Sequence, residues 1–228
     1  MTRRYKTAIF RHTLLPLSET FIAEQVRHLQ GVDVVVLGIR FRNRDRFELP
    51  AGHVINPDST VGGLAREILY ATTGRSATLD TAIAGERVDL IHAHFGVEGL
   101  YALPFALRHE LPLITTFWGF DATLSRRNLL LSGKPAWIRY GLFADRLRRQ
   151  GTLFIAVSEF LRGRLLQNGF PPDRTIVHYN GVDLNAFAPA EHGSEDPTIL
   201  AVGRLVEKKG IEYLIEAFAL VAKELPEV

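Results

Sequence analysis

The chain has 228 residues, too many for one minimal domain and too few for two full ones at a soft scale of about 150 residues per domain. With 46% hydrophobic and 23% charged residues, and a mean hydropathy near zero, it is neither collagen-like, disordered nor disulfide-stapled. A net charge of +2 is too small to argue for nucleic-acid binding, and zero cysteines exclude a thiolate metal site or cysteine nucleophile and fit a reducing cytoplasm.

The opening Met1-Thr2-Arg3-Arg4-Tyr5-Lys6 turns polar again at Arg11-His12, so no signal-peptide apolar core is expected there. Lys6–Phe10 predicts a short strand. Ser18 then caps a helix that places Ile22, Val26 and Leu29 on one face and stops at Gly31. Val32–Ile39 (VDVVVLGI) reads as a buried strand, continuous rather than alternating, as suits a parallel strand covered on both faces. A weak strand near His53–Ile55 precedes helices at 61–72 and 76–86, bounded by Gly74 and Gly85.

The rhythm then repeats. Strands are predicted at Val88–His92, Leu113–Thr116, Leu153–Val157 and Thr175–His178, with helices at 98–109, 135–150 and 158–168 between them. Alternating strand and helix means βαβ units in a doubly wound parallel sheet, an α/β architecture. Residues 188–197 (APAEHGSEDP) have the composition of a linker. A new strand is predicted at Thr198–Val202 and a helix from Lys209 to Leu225. One strand and one helix cannot bury their apolar faces alone. The expectation is an N-terminal domain over 1–190, a linker over 191–197, and only the first βα unit of a second domain over 198–228, so a fragment.

Ligands of open α/β sheets bind beyond the carboxyl ends of the strands, and the unusual residues cluster there. They are His12 to Phe21, Ala93-His94-Phe95-Gly96, Thr116 to Asp121, Ser158-Glu159, Asn180 to Asp183 and Gly203 to Gly210. In the last loop Gly203 lets backbone approach a ligand, and Arg204 and Lys209 flank a helix N-terminus that favours an anion. This is either a diphosphate cradle without a Walker A sequence or an ordinary βα loop with solvated charges.

VGRLVEKKGIEYLIEAFA (Val202–Ala219) resembles the start of the donor domain of family 4 retaining glycosyltransferases with the GT-B fold. The resemblance continues through LPLSETFI (Leu15–Ile22), DLIHAHFG (Asp89–Gly96), TTFWGFD (Thr115–Asp121), FIAVSEFLRGRL (Phe154–Leu165) and HYNGVDLNAFAP (His178–Pro189). The SETFI variant resembles bacterial exopolysaccharide enzymes. The resemblance implies two Rossmann-like domains, acceptor on the first and nucleotide-diphosphate sugar on the second. It implies transfer to a saccharide or lipid-linked saccharide, without metal or other cofactor, as a leaving-phosphate oxygen takes the acceptor's proton. Arg204 and Lys209, as catalytic and donor-binding residues, would stabilise the leaving diphosphate. Gly203 and Trp118 complete the donor set, and His94, Glu19 and Asp121 the acceptor set. The chain departs from the family pattern at Trp118, where a histidine is usual, and the family's paired glutamates belong beyond residue 228. The isolated chain is therefore expected to be inactive.

Each of these residues also has a structural alternative. His92 suits strand packing, and a His92–His94 metal site lacks a third ligand. Glu19 serves equally as acceptor contact or helix-start acid, Asp121 as ligand or N-cap, and Glu159 as a first-turn acid. Asn180-Gly181 predicts a turn fixed by Asp183. Segment 126–150 carries Arg126, Arg127, Lys134, Arg139, Arg146, Arg148 and Arg149 against Asp145. It is a solvated helix face or a contact for anionic lipid at the inner face of the cytoplasmic membrane. A non-catalytic saccharide-binding module is the alternative function. A dinucleotide-dependent oxidoreductase is disfavoured because the first βα turn, FRHTLLPLS, has no glycine.

Overall fold

The computed structural model describes residues 4–14, 19–43, 52–57, 60–185, 187 and 198–225. The chain divides into two units, Met1–Asn180 and Gly181–Val228. The proposed linker at 191–197 and the Ser18 cap lie outside the described residues.

The first unit holds seven strands: β1 Tyr5–Leu14, β2 Val32–Phe41, β3 Gly52–Val54, β4 Leu90–His94, β5 Leu113–Phe117, β6 Leu153–Ala156 and β7 Thr175–Val177. Their order across the sheet is β3-β2-β1-β4-β5-β6-β7, and every neighbouring pair is parallel. The helices are α1 Thr20–His28, α2 Val61–Thr73, α3 Ala77–Glu86, α4 Gly96–Arg108, α5 Phe120–Thr123, α6 Arg126–Leu130, α7 Pro135–Gln150 and α8 Glu159–Gln167. The α/β doubly wound sheet expected from the sequence is what forms.

Alternate residues of the central strands feed two cores, one on each face of the sheet. Phe10, Val35 and Leu37 join the larger with Tyr70, Phe105 and Phe154. Ile9, Val36 and Val54 join Ile22 and Val26 of α1 in the smaller. Burial on both faces explains why Val34–Ile39, past the exposed Asp33, is an unbroken apolar run.

Three boundaries differ from expectation in ways that matter. β1 continues past Phe10 to Leu14, because Arg11, Thr13 and Leu14 stay paired with Gly38, Arg40 and Phe41 of β2 after pairing with β4 has ended at Phe10–Ala93. β4 runs from Leu90 to His94 rather than from Val88 to His92. α3 is closed by Arg87, at φ 53°, and not by Gly85, which lies inside the helix.

The second unit contains a short 3-10 turn, Glu207–Lys209, and one helix, α9 Ile211–Glu224. Residues 198–202 are not a strand. A strand exists only by pairing, and no partner for it occurs among the described residues of this unit. No residue of α9 is buried.

Candidate functional site

β1 is the point at which the sheet reverses its order: the chain moves outward through β2 and β3, then restarts on the other side with β4. Such switch points open a crevice at the carboxyl edge. A pocket of about 570 Å³ lies there, lined by residues that follow or extend β1 (Arg11, His12, Thr13, Glu19), β4 (Phe95, Val97, Glu98) and β5 (Trp118–Asp121), with Trp137 of α7.

Two glycines allow this convergence. A Cβ on Gly38 would lie 2.4 Å from the Arg11 carbonyl oxygen, so only glycine lets β2 pass so close to the extended end of β1. A Cβ on Gly96 would lie 2.4 Å from the Tyr140 hydroxyl, so α4 starts flush against α7. Between them, Phe95 adopts φ 77° and ψ 144°, a region that costs a non-glycine residue about 1–3 kcal/mol. Its N–H donates to the Thr116 carbonyl at 2.7 Å, and the Arg11 guanidinium lies 4.6 Å from its ring centroid.

The floor is an ion cluster. Arg11 donates through Nε to Glu19 Oε2 at 2.8 Å and through Nη2 to Oε1 at 2.7 Å, a two-pronged geometry typical of strong Arg–carboxylate pairs. Its Nη1 donates to Glu98 Oε1, and the His12 backbone N–H donates to Glu98 Oε2 at 2.7 Å. Glu98 is 4% exposed. Burial pushes its carboxyl up to about 7, against the pull of Arg11 and the His12 N–H. Burial and then Arg11 hold His12 down at about 4.

Asp121 ties two loops together. Its Oδ2 accepts the Gly96 N–H at 2.9 Å, and its Oδ1 accepts the N–H groups of Gly119 at 2.9 Å and Trp118 at 3.3 Å. Burial raises its carboxyl, and those backbone donors oppose the rise. His94 is fully buried, and its Nδ1 accepts the Trp118 Nε1–H at 3.2 Å. The neutral imidazole therefore carries its proton on Nε2, which has no hydrogen-bond partner among the described residues. Burial, then His92 and Arg11, hold its pKa well below the usual histidine range. His92 stacks on His94 with ring centroids 4.6 Å apart and meets Thr116 Oγ1 at 2.7 Å. Phe21 lies against Trp118, with 3.9 Å between centroids.

The structure thus gathers Glu19, His94, Trp118 and Asp121 at one rim. Glu19, Trp118 and Asp121 line the pocket, whereas His94 stands behind Trp118. Sequence reasoning missed Arg11, Glu98 and Trp137. For Glu98 there was a signal, a lone acid in the apolar helix GVEGLYALPFAL. His92 packs as expected, Ser158 caps α8 through the Leu161 N–H at 3.2 Å with Glu159 in the first turn, and Asp183 accepts the Asn185 N–H at 2.9 Å.

In the second unit, Arg204 and Lys209 are exposed. A Cβ on Gly203 would stand 3.6–3.8 Å from the Lys209 methylenes, so these residues are neighbours. Gly210 takes φ 61° at the start of α9, whose first N–H groups receive no side-chain cap. Among the described residues no group of His, Asp and Glu could hold a metal ion.

Residues 18–186 match the model of Glycosyltransferase Family 4. The chain is 33% identical over 160 residues to the Escherichia coli (strain K12) protein WcaL, named as a glycosyltransferase of colanic acid biosynthesis, covering 65% of this chain and 36% of that protein. It is 28% identical to the amylovoran biosynthesis glycosyltransferase AmsK of Erwinia amylovora, covering 91% of this chain and 58% of that protein. Among solved structures, Anabaena Alr3699/HepE in complex with UDP-glucose shares the fold, with a TM-score of 0.55, 17% identity, and 82% of this chain and 46% of that chain covered. The chain therefore spans between 36% and 58% of the length of these three proteins. With the family's model covering β2 to β7 and the pocket residues from Glu19 onward, the chain belongs to glycosyltransferase family 4.

Proposed function

We propose that this chain acts in a retaining glycosyltransferase that moves a sugar from a nucleotide-diphosphate sugar to a saccharide or lipid-linked saccharide in polysaccharide biosynthesis. The observation that carries this reading is the preformed switch-point pocket, whose aromatic wall and carboxylate floor come from the family-matched region. The names of WcaL and AmsK support the polysaccharide context.

In this reading the first unit holds the sugar. Glu19 contacts its hydroxyls, Trp118 stacks on a ring face, Asp121 fixes the loops that shape the wall, and His94 fixes the Trp118 ring. In the second unit, Gly203 leaves room for the donor diphosphate beside Lys209, and the Arg204 and Lys209 cations stabilise the negative charge that grows on it as the glycosidic bond breaks. The leaving-phosphate oxygen accepts the acceptor hydroxyl proton on the face from which it departs, which preserves anomeric configuration. The step needs no metal and no side-chain base.

Transfer of labelled sugar, measured on the purified gene product, tests this. Arg204→Ala or Lys209→Ala is expected to lower the rate about 10²–10³-fold, and EDTA to leave it unchanged. Undiminished rates in both variants remove these residues from the donor site.

We place the reaction at the inner face of the cytoplasmic membrane. The support is a surface on α6 and α7 where exposed Leu131, Leu142 and Phe143 stand with exposed Arg126, Arg127, Lys134, Arg146 and Arg149. Basic residues beside apolar ones suit anionic headgroups. Among the described residues no helix is long and apolar enough to cross a membrane. Salt-sensitive cosedimentation with anionic vesicles is expected, and its absence overturns the placement.

A further inference from the structure

The charge arrangement around the pocket is the reverse of a phosphate site. Sheets of this topology use helix N-termini at the switch point to hold anions, and here the starts of α1, α4 and α5 at the pocket each carry a carboxylate, whereas α7, which enters through Ala136 and Trp137, has none in its first turn. Asp121 takes the Gly96 and Gly119 N–H groups at the starts of α4 and α5. Glu98 sits in the first turn of α4. Glu19 stands at the N-cap position of α1. Among the described lining residues, Arg11 is the cation, facing Glu19, Glu98 and Asp121. Its Nε and Nη2 donate to Glu19 and its Nη1 to Glu98.

The remaining wall is aromatic: Phe95, Trp118, Phe120 and Trp137. Flat apolar faces above carboxylates, which only accept hydrogen bonds when ionised, suit a ring with apolar C–H faces and O–H donors at its edge. An added phosphate or carboxylate would meet the like charge of the lining carboxylates, against one cation already paired with Glu19 and Glu98.

We infer that this pocket binds an uncharged pyranose ring and rejects sugars carrying a phosphate or carboxylate. The inference rests on the glycosyltransferase reading for its biological setting and deepens it by naming the sugar class. The ring has two sources in that setting, the transferred sugar of the donor and the terminal sugar of the acceptor. In either case the nucleotide diphosphate lies outside this pocket.

The chain offers a direct readout, since both of its tryptophans, Trp118 and Trp137, line the pocket. Methyl glucopyranoside and methyl galactopyranoside, titrated into the purified 228-residue chain, are expected to shift tryptophan emission saturably. The matched methyl glucuronide and glucose 6-phosphate should bind at least ~10-fold more weakly, a difference of about 1.4 kcal/mol. For the glucuronide, whose own charge is constant over this range, the gap should widen between pH 6 and pH 8 as Glu98 ionises, and Glu98→Gln should remove that widening. Trp118→Ala is expected to lose the response, while Trp118→Phe, which keeps an aromatic face, retains saccharide binding read by Trp137 emission. Equal or tighter binding of the anionic sugars, or no saturable response to any neutral glycoside, overturns the inference.

Kinetics on the gene product separate the sources: Trp118→Ala raises the donor KM if the ring is the donor's, and the acceptor KM if it is the acceptor's. Neutral-sugar binding without transfer from any nucleotide sugar would sink the glycosyltransferase reading and leave the pocket assignment standing. Transfer that is unaffected by Trp118→Ala and prefers anionic acceptors would do the reverse.

Discussion

The pocket of the first unit and the Gly203–Gly210 loop of the second both carry charge, but they hold it in opposite ways. In the pocket, Arg11, Glu19, Glu98 and Asp121 are occupied with one another or with backbone N–H groups. In the loop, Arg204 and Lys209 extend into solvent. Buried charges that satisfy each other build a wall whose shape is fixed before ligand arrives. Exposed cations cost little to display and remain available for an anion. The difference assigns shape selection to the first region and charge stabilisation to the second, and each assignment can be broken by substitution.

The largest contrast should come from removing an arginine in each place. Arg11→Ala leaves Glu98 buried without its cation, and breaking such a pair typically costs about 3–5 kcal/mol. Arg204→Ala, at an exposed position, should change stability by no more than about 0.5 kcal/mol. Urea denaturation of the two variants checks this. Equal losses would mean that Arg11 is as replaceable as a surface residue. Restoring part of the loss with Arg11→Met combined with Glu98→Gln would show that unpaired charge, and not lost packing, is the cause.

The second contrast is in pH. His92 and His12 are held near 4 in the folded chain, against an ordinary value of 6.5. Neutral burial of this kind gives stability that is present above pH 6.5 and lost as pH falls towards 4, with a slope of about 1.4 kcal/mol per pH unit for each proton taken up. Glu98, raised from 4.5 to about 7, acts in the opposite sense. Its contribution is complete below pH 4.5 and is lost as pH rises through 7. Stability of the first unit should therefore fall on both sides, and His92→Gln should flatten the acid limb by one proton. An unchanged acid slope in that variant would remove His92 from the account.

Most of the fold was legible in the sequence because burial on both sheet faces writes itself as unbroken apolar runs, as in Val34–Ile39. The end of β1 was not, because Arg11, His12 and Thr13 are polar and look like loop, yet β2 keeps pairing with them. That extension is what delivers Arg11 to Glu98, 87 positions away, a pairing no local pattern encodes. Residues 198–202 failed in the other direction: their composition is strand-like, but a strand is a relation to a neighbour and no neighbour is among the described residues of that unit. The candidate site followed the same division. Asp121, Glu19 and Trp118 stood out by position, whereas the hydrogen bond that locks Trp118 to His94 depends on β4 and β5 lying side by side.

That bond offers the finest test of how the aromatic wall is held. Trp118 has two separable features, an aromatic ring that lines the pocket and an indole N–H spent on His94 Nδ1. Trp118→Phe keeps a face and deletes the donor, which strands a buried acceptor and is expected to cost about 1–2 kcal/mol of stability. Because His94 already has an unpartnered Nε2, its ring would then lack any side-chain hydrogen bond among the described residues. It could turn over to offer either nitrogen, and its imidazole signals in a two-dimensional NMR spectrum should broaden. Stability loss with sharp, unshifted His94 signals would mean that stacking on His92 alone fixes the ring. The wall would then be held by packing, as a core is, and not by the polar rail running from Thr116 through the two histidines to Trp118.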